Sequence, residues 1–221
     1  MTKRRKWRIL AFAILVAFLL TGCKEFDAKG YVQASLDAMF QGETDALMAF
    51  EEGSKKSELE DEYEDYIASF AAGLTEGLNV SDGMQIQFDM LCEEIFRSMR
   101  YNVESSEKVS RKEYRVLVEY EPSDVFVKWA EYLAENAVDI NKKAESGEYQ
   151  GTKEEQLEQI LLDIAAESCE LLDTAMWDAS YGEKEEMTLT VKKGEDGEFS
   201  LEEEEIDEFV GKIMRLDAIQ G

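Results

Sequence analysis

Tyr114-Arg115-Val116-Leu117-Val118-Glu119-Tyr120 is the stretch that decides the fold. Tyr114, Val116, Val118 and Tyr120 alternate with Arg115, Leu117 and Glu119, and a period of two sends successive side chains to opposite faces of an extended chain. A strand with one apolar face is half-buried and must pair with another. Reading backwards, Ser110 to Lys112 predicts a turn and Tyr101 to Val109 a weaker partner strand. Reading forwards, Pro122 ends the pair. The alternation returns at Met187, Leu189 and Val191. Asp196-Gly197 then supplies a turn, and Phe199 and Leu201 come back as a second hairpin.

Everything else reads at helical period. Ala28 to Gln41 carries Ala28, Val32, Leu36 and Phe40 on one side, with Gly42 as its stop. A short helix is expected from Thr44 to Glu52, ending at Gly53-Ser54. Ser57 and Glu60 have the spacing of a capping box for a helix bearing Leu59, Tyr63, Ile67, Phe70, Leu74 and Leu78. Gly73 and Gly77 on it suggest close packing or fraying toward Asn79. Ser81 opens a helix to about Arg100, with the stripe Met84, Phe88, Leu91, Cys92, Ile95 and Met99. Ser123 is the expected cap of the helix carrying Phe126, Trp129, Leu133, Ala137 and Ile140, which runs into a polar loop from Glu145 to Gly151. Thr152 and Glu155 form a further capping box, for a helix to about Trp177. Ser200 and Glu203 are the expected cap of the last helix. The sum is an α+β fold, with helices packed on one face of a small antiparallel sheet.

The chain has 221 residues with 50 acids, 24 bases and no histidine. Its first segment reads as a signal peptide, residues 1–22. Lys3, Arg4, Arg5, Lys6 and Arg8 precede the apolar run Ile9 to Leu20. Those 12 residues would span only about 18 Å as a helix, short of the ~30 Å of a bilayer core. Residues 23–26 leave almost no linker. Residues 27–221 read as a single acidic domain, in which capped helices and strands alternate without a Gly/Pro-rich break. Removing residues 1–22 takes five bases and no acid, so the other 199 residues carry 50 acids against 19 bases, a net charge of −31. Nucleic acid is excluded as a partner by that balance. The charge points instead to a cationic or protein partner.

The absence of histidine removes Ser-His-Asp and Cys-His catalysis and every imidazole zinc site. Neither a phosphate-binding loop nor a dinucleotide fingerprint is present. The acid runs Glu58 to Asp65, Glu183 to Glu186 and Glu202 to Glu208 do not match a calcium loop, and they read as solvated helix faces. No catalytic residue, metal ligand or cofactor is therefore assigned. Cys92 and Cys169 each border an apolar stripe, where a small thiol usually packs. An exported chain also permits a disulfide between them, which spacing alone does not establish.

Leu20-Thr21-Gly22-Cys23 resembles the lipobox of bacterial lipoproteins. That resemblance implies cleavage before Cys23, a diacylglycerol on its thiol, and anchorage at the extracytoplasmic face of the cell membrane. Tyr31-Val32-Gln33-Ala34-Ser35-Leu36-Asp37-Ala38-Met39-Phe40-Gln41-Gly42-Glu43, followed by helices and a strand pair, resembles uncharacterised Firmicutes surface lipoproteins. Those proteins are similar in outline to cystatin-like or nuclear-transport-factor-2-like domains, and no activity is implied. The functional expectation is a membrane-anchored binding or interaction module without enzymatic turnover, at the membrane–wall boundary. The alternative is a cell-wall or glycan hydrolase working through paired carboxylates.

Overall fold

The computed structural model describes residues 25–51, 54–78 and 80–219. The signal segment, Cys23, Gly53 and Asn79 lie outside the described residues. The elements run α1 (Ala28–Gln41), a 3-10 turn (Leu47–Ala49), α2 (Lys56–Leu74), α3 (Asp82–Ser98), β1 (Arg100–Ser110) and β2 (Glu113–Glu121). They continue with α4 (Val125–Ser146), α5 (Lys153–Asp178), β3 (Glu185–Lys193), β4 (Phe199–Leu201), α6 (Glu203–Met214) and a 3-10 turn (Leu216–Ile219). The fold is α+β.

The two hairpins join into one antiparallel sheet of order β1-β2-β3-β4. Register fixes the buried face. Val116 pairs with Leu189 and Val118 with Met187, and all four are buried with Tyr114, Tyr120 and Val191. Arg115 and Thr188 face out and are exposed. β1 is longer than its pattern suggests. Only Val103 on it is buried, and a register shift between Val103 and Ser105 interrupts the ladder. Past that irregularity the edge strand is exposed and carries Glu107 and Lys108, charges that discourage another chain from pairing there.

Helices α1 and α6 lie on the apolar face of the sheet, and α3 crosses behind α1. Phe40 of α1 sits in the middle, its ring 5.7 Å from Phe96 of α3 and 6.1 Å from Phe209 of α6. All three are fully buried. Phe70 of α2 meets both Phe96 and Phe126, which draws α2 and the start of α4 onto the same core. Helices α4 and α5 form an antiparallel pair, held by the Trp129 indole N–H donating to the Ser168 carbonyl at 3.0 Å. Toward its tip this pair has its own buried contacts, Ile140 and Tyr149, apart from the main cluster.

Several expected helix ends move by a residue or a turn. Lys55, not Ser57, is the N-cap of α2, because the Glu58 carboxylate accepts from the Lys55 N–H at 3.2 Å and pairs with its ammonium. Ser57 is helical. Helix α2 stops at Leu74, where the Thr75 hydroxyl donates to the Ala71 and Ala72 carbonyls, and Gly77 has φ +82°. Among the described residues no atom beyond its chain neighbours and its own helix backbone lies within 4 Å of where a side chain on Gly73 would begin. Asp124 is the N-cap residue of α4, yet the hydroxyl of buried Ser123 accepts from the Val125 N–H at 3.4 Å, and the Ser123 N–H donates to the Ile213 carbonyl and tethers the C-terminal helix. Glu202 caps α6, with Ser200 inside β4. The helix expected over Thr44–Glu52 shrinks to Leu47–Ala49. Gly42 (φ +69°), Ser81 and the Thr152–Glu155 box sit where the sequence puts them.

Candidate functional site

The chain enters the fold by docking its first described residues on one end of the sheet. Phe26 stacks on Phe199 with ring centroids 4.0 Å apart and planes at 17°, and its edges meet Tyr31, Phe50 and Tyr114. Tyr114 is the second residue of β2 and Phe199 the first of β4, so this is the end where both hairpins turn. Glu25 pairs with Lys108 of β1 at 2.8 Å. Asp27 then caps α1, its carboxylate accepting from the Gly30 N–H at 2.9 Å.

Helix α3 presents the other distinctive surface. Phe88, Cys92, Ile95 and Phe96 face the core. On the opposite side Ile86 and Met90, one turn apart, are 58% and 59% exposed. They form an apolar ridge with a groove on each flank. Between α3 and α5 lies a groove of about 440 Å³ whose floor includes Met84, Leu91 and Cys169, and whose rim carries Glu94, Glu170 and Asp173. Between α3 and α2 lies one of about 800 Å³, edged by Glu60, Asp61, Glu64, Asp65, Asp89 and Glu93. Its basic member, Arg97, is already paired with Glu93 at 2.8 Å. Tyr63 closes the second groove near Gly42, where any Cβ would meet its ring at 2.9 Å. Burial raises the Tyr63 hydroxyl above its ordinary pKa, against the opposing pull of the Arg97 guanidinium.

The acid run Glu58 to Asp65 therefore becomes one wall of a groove, while the other two runs do structural work. Glu185 accepts from the Tyr120 hydroxyl at 3.0 Å. Glu205 holds Thr190 of β3 through both its amide and its hydroxyl. Among the described residues no group of three or more Cys, Asp or Glu is placed to hold a metal ion. Among the described residues three carboxylates shift, all on the exposed surface and all downward. The Lys55 ammonium lowers Glu58, Lys142 lowers Asp139, and the Thr152 amide lowers Glu155.

Cys92 and Cys169 are free thiols on facing helices. Burial pushes Cys92 up to about 12, with Asp89 and Cys169 adding to it. Cys169 is raised by burial too, although it opens onto the groove and its thiol lies 3.9 Å from Gln87 Oε1. Tyr66, beside the acidic run on α2, turns inward. It packs edge-on to Phe96, and burial raises its hydroxyl to about 12. The Ile86–Met90 ridge was missed by sequence reasoning. The signal was there, since two apolar residues four apart lie opposite the core stripe, but one helix with two apolar faces reads simply as a buried helix.

The architecture defines an α+β protein with helices on a four-stranded antiparallel sheet. No helix among the described residues is long and apolar enough to cross a membrane. No sequence-family model matches the chain, and no curated protein matches it in sequence. In three dimensions it is similar to ycdA of Bacillus subtilis subsp. subtilis str. 168, a protein provisionally classed as a lipoprotein and known from a crystal structure. The two share 18% identity with a TM-score of 0.50, over 89% of this chain and 58% of that one. This chain therefore spans somewhat more than half the length of ycdA, and the likeness is one of fold.

Proposed function

We propose that the chain is a lipoprotein of the extracytoplasmic face of the cell membrane, anchored by a diacylglycerol on Cys23. Residues 27–221 act there as one cooperative, non-enzymatic binding domain for a basic partner. The observation that carries this reading is the docked N-terminus. Phe26 is stacked into the sheet end, and only Lys24 and Glu25 separate it from the lipobox cysteine, three residue steps away. Three residues reach at most about 10 Å, so an anchor at Cys23 holds the turn end of the sheet against the bilayer and leaves the α3 surface for partners. Two acyl chains give stable attachment, at ~0.8 kcal/mol per buried methylene. The provisional classification of ycdA points the same way. Binding rather than turnover is the reading favoured by the missing histidine, which removes imidazole catalysis.

The test compares the full chain with Cys23→Ala by membrane fractionation and intact mass. The wild type is expected to lose residues 1–22, gain the lipid mass and sediment with membranes, while Cys23→Ala does none of these. Wild-type protein that stays unlipidated, or is cut elsewhere, overturns the anchorage. Cleavage of cell-wall glycan that is lost on changing one carboxylate to its amide overturns the binding role.

A further inference from the structure

The geometry points to the outer face of α3 as the docking site for a cationic amphipathic helix of a partner protein, with Ile86 and Met90 as the apolar contact. This rests on the binding reading above and names the surface and the chemistry of what it takes. Three observations converge on it. The ridge is apolar and more than half exposed, an arrangement a helix adopts when a second apolar surface covers it. The groove on its α5 side continues that surface inward through Met84 and Leu91, and methionine side chains adapt to varied partners. The rims are acidic on both flanks, with Glu94, Glu170 and Asp173 on one and six carboxylates on the other. The guanidinium among them is already paired within α3.

That pattern fixes the complement. An occupant must bring apolar side chains in a single line along its axis, to lie along the ridge and enter the α5 groove. It must carry positive charge on both flanks of that line. A helix with apolar residues at i, i+3, i+4 and i+7 and lysine or arginine beside them meets both demands. A flat lipid surface would meet the ridge but not enter the groove. A second copy of this chain would bring acid against acid. Ridge contacts supply the holding power, and the rims supply attraction and orientation.

The probe is a labelled Leu/Lys peptide of about 18 residues, a length that matches α3 as a helix. Its control is an isomer of the same composition, scrambled so that no apolar line forms. Binding to the full chain in zwitterionic nanodiscs is read by fluorescence anisotropy against protein-free discs. The patterned peptide is expected to bind at least about tenfold tighter than its isomer. Ile86→Ser/Met90→Ser should remove that difference, and Glu94→Gln/Glu170→Gln/Asp173→Asn should weaken binding and flatten its salt dependence. Val138→Ser, which alters an equally exposed residue on α4, should change nothing. All of these positions are on the surface, and matching thermal unfolding curves confirm that each variant folds. Equal binding of both peptides, full binding by the ridge variant, or a dimer that dissociates on changing the ridge would each overturn the inference. If a basic partner binds elsewhere, as shown by salt-sensitive capture that ignores the ridge variant, this site fails while the binding role stands. If the wild type shows no salt-sensitive binding to either peptide or partner, both fail together.

Discussion

Replacing Phe26 by alanine tests the docking on which the orientation of the molecule depends. A fully enclosed phenylalanine buries about 150–250 Å². Phe26 is half-buried, so about 100 Å² returns to water, worth about 2.5 kcal/mol at ~25 cal/mol per Å². The unfolded chain already hides part of that area, which trims the figure. Loss of the stacked contact with Phe199 adds about 0.5–1.5 kcal/mol. Phe26→Ala should therefore destabilise the soluble fragment from Glu25 to Gly221 by about 2–3 kcal/mol. Phe26→Leu keeps most of the area and loses the stacking, so it should cost about 1 kcal/mol. Urea unfolding followed by tryptophan fluorescence measures both, with an unchanged slope confirming that the same surface is exposed. A loss below about 0.5 kcal/mol for Phe26→Ala would mean that the residues after the anchor hang free. The turn end of the sheet would then not be held against the bilayer.

Gly197 sits at φ +95° with only the Lys193 side chain near its missing Cβ, so Gly197→Val is strained by backbone conformation alone and should cost more than ~1 kcal/mol in the same assay; a neutral result would show that the β3–β4 turn does not need a left-handed residue. Glu155 has a folded pKa held below its ordinary value by the Thr152 amide, so its contribution is fully present above the unfolded pKa and is lost as pH falls through the folded one. Glu155→Gln should accordingly show a shallower fall in Tm on acidification than wild type, and parallel curves would refute the cap. Burial raises both thiols, more strongly at Cys92, so in reduced native protein an alkylating reagent followed by mass spectrometry should modify Cys169 well before Cys92. Equal rates would contradict the burial of Cys92 against the core.

Local periodicity carried most of the architecture. Tyr114 to Tyr120 announces a half-buried strand because a period of two is a property of the extended backbone itself, and Asp196-Gly197 announces its turn because Gly197 takes a positive φ that few other residues tolerate. The Thr152–Glu155 box and Gly42 mark helix ends by chemistry confined to one turn. The histidine-free, acidic composition limits the available reactions with no reference to the fold. Some of the slips are local, as at Lys55 and Thr75, and others record a distant contact. Ser123 turns its hydroxyl to the first amide of α4, while its own N–H is engaged by Ile213, ninety residues away in sequence. Ser200 likewise belongs to β4 because Lys192 pairs with it across the sheet. The joining of two hairpins into one sheet, the stacking of Phe26 on Phe199, and the burial of one side of α3 while Ile86 and Met90 stay exposed all depend on elements far apart in the chain. A residue pattern records which side chains avoid water and at what period, but which of two apolar faces finds a neighbour is settled only when the other helices take their places.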